Sequence, residues 1–288
     1  AWTAYLELLK PITWFPPMWA FGCGVVSSGQ ALPERWPFAL AGILLAGPLV
    51  CGASQVVNDW FDRDVDAINE PDRPVPSGRV PGRNALYFAI SWSALSLWVG
   101  ALLGPWVLAA TIVGVLLAWA YSAPPARLKQ NGWWGNAAVG LCYEGLPWFT
   151  AAAALIGGLP PTEVILLALA YSIGAHGIMT LNDFKAIEGD TRLGVRTLPV
   201  QLGPDGAARV ACAVMLVPQL AVIALLVAWQ LPIAALAVAT LTLVQAAMMV
   251  RFLQQPIERA TWYSALGVTL YVLGMLASAI GVRTLALT

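Results

Sequence analysis

Five long stretches of this chain contain no Lys, Arg, Asp or Glu: 12–33, 36–58, 84–126, 210–250 and 260–282. A helix that crosses the hydrocarbon of a bilayer needs roughly 20 apolar residues. In lipid it must be a helix, because backbone polar groups there have only one another to bond. The first, second and last stretches are each sized for one crossing. The two longer ones hold two each, broken at Gly104-Pro105 and near Gln230-Leu231-Pro232, where proline interrupts helical hydrogen bonding. The region 130–181, whose only Lys, Arg, Asp or Glu are Glu144 and Glu163, supplies two more around the break Gly157-Gly158-Leu159-Pro160-Pro161. The chain is therefore expected to be all-α, a polytopic membrane protein with nine transmembrane helices in a single domain over 1–288. Its 10% charged residues agree, since soluble domains carry about 25%.

The basic residues set the orientation. Of the 15 Lys and Arg, nine crossings leave only Arg35 and Arg283 on one side and gather the rest on the other. The crowded side is expected to be cytoplasmic, with the amino terminus inside. Cys23, Cys51, Cys142 and Cys212 lie singly in apolar segments, without the paired spacing of a metal or disulfide motif, and read as core residues. The first apolar stretch is a full crossing without a small-residue cleavage pattern, so no cleaved signal is expected.

Two acidic clusters end apolar stretches on the predicted cytoplasmic side. The first is Asn58-Asp59-Trp60-Phe61-Asp62-Arg63-Asp64-Val65-Asp66, and the second is Asn182-Asp183-Phe184-Lys185-Ala186-Ile187-Glu188-Gly189-Asp190. Aligning Asn58 with Asn182 also pairs Asp59 with Asp183, Asp64 with Glu188 and Asp66 with Asp190, so the chain reads as two similar halves with clusters at 58–66 and 182–190. On a helix of about 100° per residue, with Asn58 at zero, Asp59 lies at about 100°, Asp62 at about 40° and Asp66 at about 80°. Asp64 lies at about 240°, on the far side. Three carboxylates and an amide share one face, and the carboxylates would repel one another unless neutralised. They are hard oxygen ligands suited to Mg²⁺. Asp183 and Asp190 share a face if their helix continues past Gly189, and Glu188 substitutes if it unwinds.

Carboxylates bind metal, and metal with basic residues binds phosphate. Arg73 and Arg79 flank the stiff turn Pro74-Val75-Pro76-Ser77-Gly78, and Arg127 and Lys129 follow Pro124-Pro125. These four, with Lys185, are the candidate phosphate or acceptor contacts. Two polar residues fall inside predicted crossings, where ionisable groups are costly. Glu144 is halfway along the fifth, and His176 is seven residues before Asp183 on the same face. Each reads either as a packing residue or as a substrate contact. Trp133 and Trp134, with Tyr143, Trp148 and Phe149, form an aromatic group able to line a flat ligand.

The pattern N-D-x-x-D-x-x-x-D at 58–66 resembles the first signature of the UbiA-type intramembrane prenyltransferases. The longer blocks at 58–78, 121–136 and 182–203 are most similar to the chlorophyll and bacteriochlorophyll synthases within that family. The resemblance implies nine helices around a central cavity and Mg²⁺ that ionises a prenyl diphosphate. It assigns Asp59, Asp62 and Asp66, supported by Asn58, to one ion, and Asp183 and Asp190 to another, all five acids being catalytic. Many members carry D-x-x-x-D as a second signature; here Ala186 fills its first position and the upstream carboxylate is Asp183.

The implied reaction joins a phytyl or geranylgeranyl group to the propionate of a chlorophyllide or bacteriochlorophyllide and releases diphosphate. Alternatives are a quinone-precursor or haem prenyltransferase and, from another class, a cation transporter. Against the transporter, both clusters lie at one face of the membrane rather than near its midplane. The implied location is a bacterial inner, photosynthetic intracytoplasmic membrane, with the site facing the cytoplasm. The compact loops and lack of a transit-type segment point the same way. Other membrane proteins of the pigment pathway are implied partners, and nucleic acid is not.

Overall fold

The computed structural model describes residues 2–287. Among them the only β-type pairing is an isolated parallel bridge between Asn131 and Arg196. A short helix α1 (Trp2–Leu8) and a turn of 3₁₀ helix precede α2 (Phe15–Ser27). Next, α3 (Leu32–Leu44) runs through a π-helical turn at Leu45–Cys51 into α4 (Gly52–Asn69). After α5 (Asn84–Leu103) and α6 (Pro105–Ser122), α7 (Gly132–Gly140) passes through a second π turn, Leu141–Gly145, into α8 (Leu146–Ile156). The chain ends with α9 (Thr162–Asp183), α10 (Ile187–Leu193), α11 (Leu198–Ala228), α12 (Pro232–Phe252) and α13 (Pro256–Arg283).

Among the described residues, eight helices have the length and apolarity of a membrane crossing, counting α3–α4 and α7–α8 as one each. They break where the prolines and glycines place the turns, at Gly104, Gly157 and Gln230–Leu231. The first predicted crossing, 12–33, is built differently. Pro11, Pro16 and Pro17 delay helix formation, and Gly29, with φ 72°, lies just past the helix end. What remains is the 13-residue α2, about 20 Å long and short of a full span. Eight of the nine expected crossings are thus full-length helices. Large apolar side chains such as Trp98, Leu116, Leu236 and Leu243 are exposed on these helices, as a lipid-facing surface requires.

The chain packs as two compact units. The first is built from the segment up to Val25, Gln30–Arg127 and Leu146–Pro160. The second is built from Val26–Gly29, Leu128–Gly145 and Pro161 onward. In the first unit α4 packs on α5 and α6. There Leu8 of α1 shares a core with Val56, Val57, Val80, Ala85 and Ala89. Burying such side chains contributes about 1.5–3 kcal/mol each, which fixes α1 beside α4. In the second unit α9 packs on α7, α11 and α13. A Cβ on Gly140 would lie 2.6 Å from the Ser172 carbonyl oxygen, so only glycine lets α7 approach α9 this closely. Buried Gln219 and Gln245 exchange amide hydrogen bonds of 3.1 and 3.0 Å between α11 and α12.

Candidate active site

The first acidic cluster is carried by α4, which continues well past its apolar part without a break. Asp59 and Asp66 are buried, Asn58 and Asp62 half-buried, and Asp64 exposed and paired with Arg63 at 3.7 Å. Each inward carboxylate has a cation. The Lys10 ammonium donates to Asp59 Oδ1 at 2.6 Å. Arg73 donates to Asp66 at 3.0 Å, lies 3.7 Å from Asp59, and is clamped by Glu70 through two hydrogen bonds of 2.6 and 2.7 Å. Burial opposes the charge on Arg73, but Glu70, Asp66 and Asp59 outweigh it and raise its pKa. Arg127 donates to Asp62 at 3.4 Å. The Asn58 amide donates to Ser122 Oγ at 3.2 Å, turning its carbonyl oxygen away from that bond. Arg79 instead pairs with Glu7 of α1 at 2.6 and 2.8 Å and donates to the Asp72 carbonyl.

The second cluster is assembled differently. The α9 helix ends at Asp183, a turn covers 184–186, and α10 begins at Ile187. Asp183 and Asp190 are therefore not on one continuous helix face. The turn still folds Asp190 near enough to Asp183 for their charges to repel. The Asn136 amide, delivered by the close packing of α7 on α9, donates to both Asp183 Oδ2 and Thr180 Oγ1 at 3.2 Å. Burial pushes the Asp190 carboxyl above the usual aspartate range. Asn182, Lys185 and Glu188 are exposed, with Glu188 paired to Arg192. Backbone hydrogen bonds from Gly132 N–H to the Arg196 carbonyl and from Arg196 N–H to the Gln130 carbonyl clip the loop before α7 to the loop after α10.

The remaining candidates scatter. His176 is buried, with Nε2 donating to the Trp133 carbonyl at 3.2 Å and the two rings 5.8 Å apart. Glu144 is buried in the π turn, and its Oε2 lacks a hydrogen-bond partner. Trp133 and Trp134 are exposed, whereas Trp148 is fully buried and belongs to the core. Lys129 is half-buried. Among the described residues, no three His, Cys, Asp or Glu side chains converge closely enough to hold a metal as they stand.

Two participants escaped the sequence reading. Lys10 entered it only as a topology charge, although it is the sole charged residue between Glu7 and Glu34. Asn136 closes the 121–136 block, and its role depends on a helix contact that no spacing reveals.

The UbiA prenyltransferase family model matches residues 13–271. The chain belongs to this family. The bacteriochlorophyll synthase 33 kDa chain of Cereibacter sphaeroides is 57% identical, over 98% of this chain and 93% of its own. The chloroplastic chlorophyll synthase of Oryza sativa subsp. japonica is 39% identical over 97% and 76%. The fold recurs in a solved structure: the UbiA homolog from Archaeoglobus fulgidus, bound to DMAPP and Mg²⁺, superposes with a TM-score of 0.72. It does so at 20% identity, covering 94% of this chain and 98% of that one. The match to the family, together with the apolar helices, makes the chain an integral membrane prenyltransferase.

Proposed function

We propose that this protein esterifies the propionate of a chlorophyllide or bacteriochlorophyllide with a phytyl or geranylgeranyl group taken from the prenyl diphosphate, in a Mg²⁺-dependent reaction. The observation that carries this reading is the high identity to a bacteriochlorophyll synthase chain across nearly the whole sequence. The similarity to a chlorophyll synthase keeps the acceptor within the same pigment class. The site belongs at the cytoplasmic face of a bacterial photosynthetic inner membrane, as the sorting of basic residues supports.

The residues fit Mg²⁺ by their chemistry. Asp59, Asp62 and Asp66 offer hard oxygens that already bind cations, with an ammonium at 2.6 Å and guanidinium nitrogens at 3.0 and 3.4 Å. These acids with Asn58 would hold one ion, and Asp183 with Asp190 a second, Asn136 orienting Asp183. When bound, Mg²⁺ supplies positive charge that stabilises the departing diphosphate. Arg73 and Arg127 add fixed charge beside the same carboxylates.

The allylic C–O bond breaks with its electron pair going to the diphosphate, and a propionate oxygen gives a pair to the allylic carbon. A propionate titrates in the glutamate range, so it arrives as an anion and loses no proton. No general base is needed. His176 and Glu144 then act by positioning, and the apolar surroundings keep water from the carbocation.

The test uses purified protein in nanodiscs, given chlorophyllide or bacteriochlorophyllide, phytyl or geranylgeranyl diphosphate, and Mg²⁺. The expected result is a prenyl ester that disappears when the metal is chelated. Prenylation of a phenolic quinone precursor, with no pigment ester formed, overturns the reading.

A further inference from the structure

Three non-glycine residues among those described have positive φ: Lys10 at 44°, Arg127 at 36° and Gln230 at 60°. Such conformations are uncommon outside glycine and cluster at functional positions. Two of the three, Lys10 and Arg127, are among the cations that hold the first acidic helix. Lys10 sits at the junction of α1 with the following 3₁₀ turn. Its side chain reaches back to Asp59 Oδ1 at 2.6 Å, where the carboxylate is 3% exposed. Arg127 similarly reaches Asp62.

The charge balance of this group is close to neutral. Asp59, Asp62, Asp66 and Glu70 face Lys10, Arg73 and Arg127. Adding a divalent cation turns this small negative balance positive, and adding a diphosphate with it restores an anion for the cations to face. A buried positive excess is costly unless paired. Metal alone must also displace the Lys10 ammonium, which sits 2.6 Å from Asp59 Oδ1.

We infer that Lys10 is a counter-ion that keeps Asp59 occupied until diphosphate arrives, so that metal binds the first cluster weakly alone and tightly together with diphosphate. This inference rests on the metal-and-diphosphate reading above and adds to it an order of assembly and a residue that imposes it. The coupling is reciprocal: the factor by which diphosphate tightens metal equals that by which metal tightens diphosphate. Lys10 is a positioning residue here, acting on the metal through Asp59. Arg127 does the same for Asp62, its strained backbone fixing the direction of the side chain.

The experiment measures Mn²⁺ binding by electron paramagnetic resonance on the full chain in nanodiscs. Wild type, Lys10→Met, Lys10→Arg and Arg127→Met are titrated without diphosphate. They are titrated again with inorganic diphosphate, protein-free controls accounting for the free complex. Lys10→Met should bind Mn²⁺ alone about tenfold tighter than wild type or more, the effect of losing roughly one unit of competing charge interaction. Lys10→Arg should stay near wild type, and Arg127→Met should move in the same direction as Lys10→Met. With diphosphate present the difference between wild type and Lys10→Met should shrink.

Unchanged or weaker metal binding in Lys10→Met, while its thermal unfolding matches wild type, overturns the inference. If that variant does not fold, Arg127→Met decides by the same criterion. Wild type that binds Mn²⁺ equally well with and without diphosphate also overturns it. Wild type that binds no Mn²⁺ under either condition overturns the metal-dependent reading itself.

Discussion

The two acidic clusters align at Asn58/Asn182, Asp59/Asp183, Asp64/Glu188 and Asp66/Asp190, yet the fold builds them by opposite means. In the first, one unbroken helix presents Asp59, Asp62 and Asp66 on its inner face, and three cations hold them, Lys10 and Arg127 from distant segments and Arg73 from the turn that follows the helix. In the second, the helix stops at Asp183, a turn intervenes, and the partner of that carboxylate is a neutral amide, Asn136. Periodicity can predict the first arrangement because spacing fixes direction on a helix. It cannot predict the second, where a turn and a neighbouring helix set the geometry. The first cluster carries matched charges; the second carries two carboxylates that repel. The second should therefore depend more on whatever cation binds it.

The largest effects should come from removing carboxylates of the first cluster. Asp62→Ala and Asp66→Ala should each lower turnover by about 10³-fold or more, since each removes charge that organises the reacting centre. Circular dichroism and gel filtration should show the fold intact. Should either variant retain more than a tenth of wild-type turnover, the first cluster is not the metal-bearing one and the comparison reverses.

Arg73→Met comes next, with an expected loss of about 10²-fold. This arginine touches Asp59, Asp66 and Glu70 together. The loss should appear in kcat at saturating prenyl diphosphate. An effect confined to KM would recast Arg73 as a docking residue that makes no difference to bond breaking.

For the second cluster, Asn136→Ala should reduce metal affinity or turnover by about 10–100-fold, the usual cost of losing a group that orients a ligand. Asn136→Asp sharpens the comparison. It puts a third carboxylate beside Asp183 and Asp190, so it should reach the same fractional rate at a lower metal concentration. If Asn136→Ala behaves like wild type, the hydrogen bond to Asp183 is packing alone.

Much of this molecule was legible in its sequence, for identifiable reasons. Apolar length marked nine crossings, and eight of them are full-length helices among the described residues, because lipid tolerates little else; the first is the short α2. Proline and glycine marked the breaks at Gly104 and Gly157. The inward direction of Asp59 and Asp66 and the outward one of Asp64 followed from helical geometry. What stayed hidden came from contacts between distant segments. Lys10 meets Asp59 across 49 positions, and Asn136 meets Asp183 across 47. Neither distance has a local signature. The sequence reading also grouped Arg73 with Arg79 because both flank one rigid turn. The structure separates them, since a turn fixes where the backbone goes and leaves two long side chains free to find different partners.

That separation supplies the smallest predicted effect. Arg79 bonds Glu7 of α1 and the Asp72 carbonyl, with both charged groups well exposed. Exposed ion pairs contribute little, so Arg79→Met should leave turnover within about threefold of wild type. Asp64→Ala should do the same, because its carboxylate is 86% exposed and its ion pair with Arg63 is 3.7 Å long. The Glu7–Arg79 pair also has a pH signature. Its hydrogen bond to Arg79 holds the Glu7 carboxyl below the usual glutamate range. A carboxylate depressed in the folded state lends stability that is complete above its unfolded pKa and is lost as pH falls through the folded value. Wild type should therefore unfold at a slightly higher temperature than Arg79→Met at neutral pH, and the two should converge in acid. If Arg79→Met instead loses turnover as severely as Arg73→Met, both arginines serve the diphosphate and the contact with Glu7 is not the one present during the reaction.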